Sequence, residues 1–265
     1  MQDLKVTLLQ ADLHWEQPAA NMAMLEEMIW SEVSETDVII LPEMFTTGFS
    51  MNAKALAEPP RTNTYRWMRQ VAREKKALIL GSFITRDEGK YYNRMHAVFP
   101  NGTVQYYDKR HLFTLANEQS SYSAGNKRLI VEWKGWKICP LVCYDLRFPV
   151  YSRNGFNQES RNFEYDVLVY SANWPESRVQ AWDALVKARA IENQSYVIAV
   201  NRVGRDGNGH AYNGHSGVYD YLGEPLNSIG SPAYAIEVLL EKNKLDEFRE
   251  KYAFLNDSDD FKLLD

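Results

Sequence analysis

The chain has 265 residues, 45% hydrophobic and 25% charged, an ordinary globular mixture long enough to enclose one large core. A net charge of -5, with no stripe of arginine and lysine, excludes an electrostatic footprint for nucleic acid. No apolar run approaches the roughly 18 residues that span a bilayer, and Met1-Gln-Asp-Leu-Lys-Val lacks the basic-then-apolar profile of a leader, so no membrane partner and a soluble, reduced, cytoplasmic protein are expected.

Short runs rich in Val, Ile, Leu and Tyr predict strands over 5–9, 37–41, 77–84, 95–99, 104–107, 129–133, 137–142, 166–170, 196–200 and 217–221. Helical spacing predicts helices between them. The stretch 18–34 carries Met24, Met28 and Ile29, Thr62 is placed to cap a helix through 75 with Tyr65, Met68 and Val71 on one face, and 178–194 carries Trp182, Leu185, Val186 and Ile191. Asn101-Gly102 and Lys134-Gly135 read as hairpin turns, so strands alternate with helices but the sheet is mixed.

No repeat or low-complexity linker breaks the pattern, which predicts one domain over 1–240. The glycine-rich stretch 204–217 lacks the spacing of a phosphate loop or a dinucleotide site and reads as a long turn near a cleft. Gly214-His215-Ser216-Gly217 falls short of the GxSxG elbow, which leaves Ser216 a weak rival nucleophile. Residues 241–265 read as a helix and an acidic tail whose Phe248, Phe254 and Phe261 suggest that it docks on something.

The chain has two cysteines. Pro140 argues against a helix between them, and residues four apart on a strand stand about 13 Å from each other, beyond disulfide reach. No Cys or His at short spacing completes a zinc site. Cys139 suits a buried hydrophobe. Cys143 instead ends the run Lys137-Ile-Cys-Pro-Leu-Val-Cys143 where polar residues take over, which makes it the candidate nucleophile.

Two other strand ends are similar. The run Asp37-Val-Ile-Ile-Leu-Pro-Glu43 presents Glu43, and Val104-Gln-Tyr-Tyr-Asp-Lys109 presents Lys109, followed by Arg110 and His111. If these strands share a direction, a carboxylate, an amine and a thiol converge on one rim, the usual place for a site in an α/β sheet. A free thiol is only about 3% ionised at pH 7, so attack on an amide wants a neighbouring base. Glu43 fits that part and could pass the proton to the departing amine, while Lys109 and the Tyr144 backbone N–H could hold the oxyanion. Taken singly, Glu43 could equally be a solvated turn residue and Lys109-Arg110-His111 a charged surface loop. Their joint appearance favours chemistry.

The blocks Leu41-Pro-Glu-Met-Phe45, Tyr107-Asp-Lys-Arg-His-Leu-Phe113 and Leu141-Val-Cys-Tyr-Asp-Leu-Arg-Phe-Pro149 resemble, in order and spacing, the signature regions of the nitrilase superfamily of carbon–nitrogen hydrolases. The likeness continues through Ser171-Ala-Asn-Trp-Pro175, Ala188-Arg-Ala-Ile-Glu-Asn193 and Asn201-Arg-Val-Gly204, from Leu4 to about Leu240. It implies an α/β fold, a four-layer α-β-β-α sandwich with mixed sheets, paired into a homodimer in which 241–265 has a place at the interface. It also implies no metal and no organic cofactor. In such an enzyme Glu43 is the general base, Lys109 the oxyanion stabiliser, Cys143 the acyl-forming nucleophile, and Glu118 a second glutamate that orients the lysine and aids the hydrolytic step.

Within the superfamily the blocks look most like the bacterial omega-amidases, which implies hydrolysis of 2-oxoglutaramate or succinamate to the dicarboxylate and ammonia, often tied to methionine salvage. Arg110 and Arg147 are candidates to meet the far carboxylate, Arg147 having Asp145 as an alternative, structural partner. Phe45, Phe113, Tyr144 and Trp174 are candidate pocket walls or plain core aromatics. Two other readings stand beside this one. The same triad could act on a nitrile, an aliphatic amide or an N-carbamoyl amine, or the chain could be a binding protein whose triad has lost activity.

Overall fold

The computed structural model describes residues 2–157, 162–259, 261 and 263. Two mixed sheets face each other. The first contains β1 (Leu4–Gln10), β2 (Val38–Ile40), β3 (Leu78–Asp87), β4 (Lys90–Val98) and β5 (Val104–Asp108), with Tyr234–Leu240 on its far edge beside β1. The second contains β6 (Val131–Trp133) and β7 (Trp136–Val142), followed by Val167–Ser171, Tyr196–Val200 and Gly217–Tyr219. Strands β1, β2 and β3 are parallel, and two antiparallel steps through β4 bring β5 back to the same direction. The carboxyl ends of β2 and β5, which precede Glu43 and Lys109, therefore share one rim.

The period of two sorts side chains between layers. Val38 and Ile40 of β2, with Leu78 and Leu80 of β3, enter the core between the sheets and meet Leu141, Val167 and Val169 from the second sheet. Ile39 and Ile79 point the other way, under the helices Pro18–Glu32 and Asn63–Lys75, against Leu25, Ile29, Met68 and Val71. The helix Val179–Asn193 covers the second sheet with Trp182, Val186 and Ala190. The result is the expected order of helix, sheet, sheet and helix.

Local readings needed four corrections. The first helix buries Asn21, Leu25 and Ile29, and Met24 and Met28 only flank that stripe. Thr62 precedes the second helix, but its hydroxyl donates to Glu58 and to the Pro59 carbonyl; the Glu58 carboxylate accepts the Thr64 N–H at 3.1 Å in its place. Ile191 is 54% exposed rather than core. The segment around Gly204 to Gly217 is no plain turn, because Val203–Arg205 pairs with Ala211–Asn213 as a hairpin over the cleft. Gly204 and Gly214 have φ of +84° and +72°, and a Cβ on either would collide with Asp12 or Gln10.

The helix Lys242–Lys251 docks on its own chain. Lys242, Leu245 and Arg249 are buried, and Asp166 accepts from Arg249 Nη1 at 2.7 Å and from Lys242 Nζ at 3.1 Å. Phe248 packs on Tyr221 at 4.4 Å between ring centroids, whereas Phe254 and Phe261 remain exposed. Removing Arg249 leaves the buried Asp166 carboxylate with Lys242 as its remaining cation and takes away the shorter of its two ion pairs. Arg249→Ala is expected to lower the unfolding free energy by about 2–4 kcal/mol, read from urea denaturation; an unchanged midpoint would show that the helix is held by Leu245 and Phe248 alone.

Candidate active site

Two strand ends and one loop deliver the charges, and a third strand end delivers the thiol. Lys109 has the same parity as Tyr107 on β5, so it turns inward between the sheets. Its Nζ lies 2.9 Å from Glu43 Oε1, and 2.9 Å and 3.1 Å from the two oxygens of Glu118. Exposure is 0% for Glu43 and Glu118 and 1% for Lys109. Burial alone would strip the proton from Lys109, but the charges of Glu118 and Glu43 outweigh it and hold the ammonium more firmly than in water. Burial pushes the Glu118 carboxyl above the usual range; Lys109 opposes this and the charge of Glu43 adds to it.

The carboxylates are fixed by further donors. Asn93 Nδ2 on β4 donates to Glu43 Oε1 at 2.7 Å and to Glu118 Oε1 at 3.4 Å. The Phe113 N–H donates to Glu118 Oε2 at 2.6 Å, and the Asn173 N–H to Glu43 Oε2 at 2.9 Å. Asn173 thus ties the second sheet to Glu43. It also faces Cys143, since its carbonyl accepts the thiol S–H at 3.8 Å.

Cys143 starts the 3₁₀ turn Cys143–Arg147 with φ of +44°, a left-handed conformation that costs a side-chain-bearing residue about 1–3 kcal/mol. The turn is anchored by Asp145, which is fully buried. One carboxylate oxygen accepts the Val142 N–H at 3.0 Å and the Tyr107 hydroxyl at 2.7 Å; the other takes the His111 backbone N–H at 3.0 Å and lies 2.8 Å from His111 Nδ1. Asp145 therefore joins the Cys143 turn to the loop after Lys109, and it makes no pair with Arg147.

Cys143 is 9% exposed at the base of a cavity of 320 Å³. Burial raises its thiol well above the ordinary value, the charge of Glu43 raises it further, and Lys109 only partly opposes them. The resting sulfur is a thiol. Tyr144 sits in the first turn of the 3₁₀ helix, where an N–H has no carbonyl one turn back.

Of the predicted wall residues, Phe113, Tyr144 and Trp174 line this cavity. Phe45 does not: it is fully buried behind the site, packed against Trp67 and Phe83, because the turn after Glu43 reverses into the helix-facing core. Arg110 does not either. Its Nη1 turns to the Gly125 carbonyl at 3.4 Å, and the cations that line the cavity are Lys109, Arg147 and Arg178. Ser216 is buried away from the cleft, its hydroxyl exchanged with the backbone of Asn201. Cys139 is enclosed in β7, and both cysteines are free. Among the described residues no group of three or more His, Cys, Asp and Glu side chains is placed to hold a metal ion.

Asn93 and Asn173 were not singled out in the sequence, although each left a trace. Asn93 shares the inward parity of Met95 and Ala97 on β4, a polar residue among core positions. Asn173 ends a buried strand where polarity returns, the same sign that marks Glu43 and Cys143.

The comparisons agree with this geometry. The model of the family "Carbon-nitrogen hydrolase" matches residues 5–240. Over 266 positions, covering 99% of this chain and all of the relative, the chain is 47% identical to omega-amidase YafV of Escherichia coli K12. It is 31% identical over 255 residues to 2-oxoglutaramate amidase of Bacillus subtilis, covering 95% of this chain and 96% of that one. A crystal structure of a CN-hydrolase superfamily protein from Xanthomonas campestris, with an arsenic adduct in its active site, superposes with a TM-score of 0.97 at 43% identity over 99% of this chain and 100% of that one. The chain belongs to the carbon–nitrogen hydrolase family. It is a hydrolase of carbon–nitrogen amide bonds.

Asp145 supplies the site prediction. In Asp145→Asn an NH₂ group must face donors that now meet oxygen, so stability is expected to fall by about 2–4 kcal/mol in urea denaturation; a variant as stable as the parent would show that the Cys143 turn is held by other contacts.

Proposed function

We propose that the protein is an omega-amidase-type amidohydrolase, cleaving the terminal amide of small omega-amido dicarboxylates such as 2-oxoglutaramate or succinamate to acid and ammonia through a Cys143 thioester. The observation that carries this reading is the convergence of Cys143, Glu43 and Lys109 on one cavity, with Glu118 on the far side of the lysine. The full-length likeness to omega-amidases supports the substrate class.

The order of events follows from the protonation states. Cys143 is a neutral thiol, so its proton passes to Glu43 as the sulfur attacks the amide carbon. The carbonyl π electrons move to oxygen, where the Lys109 ammonium and the Tyr144 N–H stabilise the new charge. Collapse of the tetrahedral adduct breaks the carbon–nitrogen bond, and the proton held by Glu43 leaves with the amine as ammonia. Glu43 then takes a proton from water as it attacks the thioester, and returns it to the departing thiolate. Glu118 keeps the lysine aimed throughout.

A homodimer in the cytoplasm belongs to the same proposal. The dimer is supported by apolar side chains left exposed near one another, with Ile191 beside the Gly223 turn that carries Leu222, and with the Tyr252 and Phe254 ring centroids 5.7 Å apart. A place in methionine salvage rests on the resemblance of the sequence blocks to bacterial omega-amidases alone.

Ammonia release from a panel of succinamate, glutaramate, aliphatic amides, nitriles and N-carbamoyl amino acids is expected to favour the omega-amides. Cys143→Ala should abolish it while Cys139→Ala retains it; turnover that survives in the first variant, or is highest on nitriles, refutes the reading. The acid limb of kcat/KM offers a further check. Glu118 must be ionised to orient Lys109, and because its proton is held above the ordinary range, activity should decline as pH falls through a value higher than the 4.5 of an unperturbed carboxyl. A profile flat down to that pH would contradict it.

A further inference from the structure

Arg202 is closed off from solvent altogether. Its carboxylate partner is Asp12, at 3.3 Å and with 62% of that side chain exposed, and its own Nη1 is buried with no hydrogen-bond partner among the described residues. A buried cation so weakly paired adds little to stability, because its lost hydration is not offset. What Arg202 contributes lies in what it holds in place.

The guanidinium runs along one edge of the hairpin over the cleft. Nε donates to the Val203 carbonyl at 3.1 Å and Nη2 to the Arg205 carbonyl at 3.2 Å, two groups that share a side of the strand. Nη2 also donates to the Leu13 carbonyl at 3.0 Å, and beside it the Val203 N–H donates to the Ala11 carbonyl at 3.0 Å, so the hairpin edge is sewn to the chain that leaves β1. The face of the group carries the Tyr212 ring, 4.8 Å away. Nη1 abuts a second loop: a Cβ on Gly48, whose φ is +71°, would lie 3.1 Å from it. A planar group with donors in its plane and a face for a ring can meet all of these neighbours, which an ammonium cannot.

Both loops wall the cavity that holds Cys143. Tyr212 lines it together with Asp206, Asn208 and His210 of the hairpin turn, and Phe49 and Met51 line it just after Gly48. Asp206 makes the turn rigid, accepting the Asn208 and His210 N–H groups on one oxygen and the Tyr212 hydroxyl on the other, each at 2.9 Å. Arg202 stands behind these residues, and its hydrogen bonds go to Asp12, Leu13, Val203 and Arg205 rather than to the reacting cluster. We propose that Arg202 is a positioning residue that holds the hairpin and the Gly48 loop at one spacing, and thereby fixes the length of acyl chain the cavity admits. The proposal rests on the reading of Cys143 as the nucleophile and of omega-amides as its substrates.

The first test needs no turnover. Cys143 is alkylated with iodoacetamide and with the bulkier iodoacetanilide, and each adduct is located by peptide mass spectrometry. In Arg202→Gln the ratio of the iodoacetanilide rate to the iodoacetamide rate is expected to rise about tenfold over the parent, the scale on which a fitted pocket discriminates by size. Arg202→Lys should fall between the two, because charge remains and the planar fork is lost. Cys139, enclosed in β7, is the internal control, since its labelling reports loss of the fold. Where Arg202→Gln labels at Cys139, the comparison passes to Arg202→Lys and to Gly48→Ala, whose methyl presses the loop away from Nη1. An unchanged ratio in variants that keep Cys139 covered overturns the proposal. Labelling of Cys139 in all three variants overturns it as well, because Arg202 would then hold the core and not the wall.

The second test reads chain length directly. The kcat/KM ratio of adipamate, one methylene longer, to glutaramate is expected to rise about tenfold in the same variants, mostly through KM. A ratio within about threefold of the parent, in variants whose alkylation ratio has risen, overturns the assignment of chain length to Arg202. A parent that hydrolyses neither amide while the alkylation ratio still depends on Arg202 would leave the brace standing and refute the amidase reading instead.

Discussion

One ammonium shared by two carboxylates, all withdrawn from water, is the constraint around which this molecule is arranged. Each buried ion costs several kcal/mol of lost hydration, and mutual attraction offsets that only where geometry is good and remaining lone pairs are filled. The site meets both conditions. Lys109 sits within 3.1 Å of Glu43 and Glu118, and Asn93, Asn173 and the Phe113 N–H supply donors that the lysine cannot. These groups come from β4, from the loops after β2, β5 and Val167–Ser171, and from the Glu118 turn. No single sheet could assemble them, which gives the pairing of two sheets a chemical as well as a packing role.

The excess negative charge sets the character of the nucleophile. A cysteine beside an imidazolium or a helix N-terminus is held as thiolate. Here burial and Glu43 act together against the thiolate, and Lys109 is already engaged by two acids. On the proposed mechanism proton removal accompanies bond formation, and Glu43, which opposes early ionisation, is also the group that would receive the proton. The strained backbone suits this timing. Met44 and Cys143 hold φ of +45° and +44°, pinned by Ser82 Oγ on the Met44 N–H and by Asp145 on the Val142 N–H. Rigid neighbours, not flexible side chains, fix the short path between acid and sulfur.

Much of this was legible in the chain, and what escaped has a common cause. Strand ends where apolar runs give way to Glu43, Lys109 and Cys143 are local signals, and so are the hairpin turns at Gly102 and Gly135. Tertiary contacts are not. Nor does a capping residue type settle which side chain caps: Thr62 sits where a cap belongs, but Glu58, four residues earlier, takes the role. Phe45 and Arg110 lie within two residues of catalytic candidates, yet a tight turn after Glu43 and the pull of the Gly125 carbonyl carry them out of the cleft. Proximity in sequence is a poor guide once the backbone reverses. Conversely Arg178 and Tyr212, far along the chain from Cys143, reach its cavity through a short turn and a hairpin that no periodicity announces.

The two ends of the cleft are built on different physical terms. At the reacting end every charge is buried and hydrogen-bonded, so small displacements there carry large desolvation penalties. On the cavity wall Arg147 and Arg178 lie over the Trp174 and Phe113 rings, carried by short turns at the edge of solvent. A guanidinium over a ring can be exchanged with little effect on the core, whereas loss of Lys109 leaves both Glu43 and Glu118 buried without their cation. The chemistry of amide cleavage is therefore bound to the fold itself. The partly exposed side chains on the wall of the same cavity make no bond to that cluster, so they can vary without disturbing it.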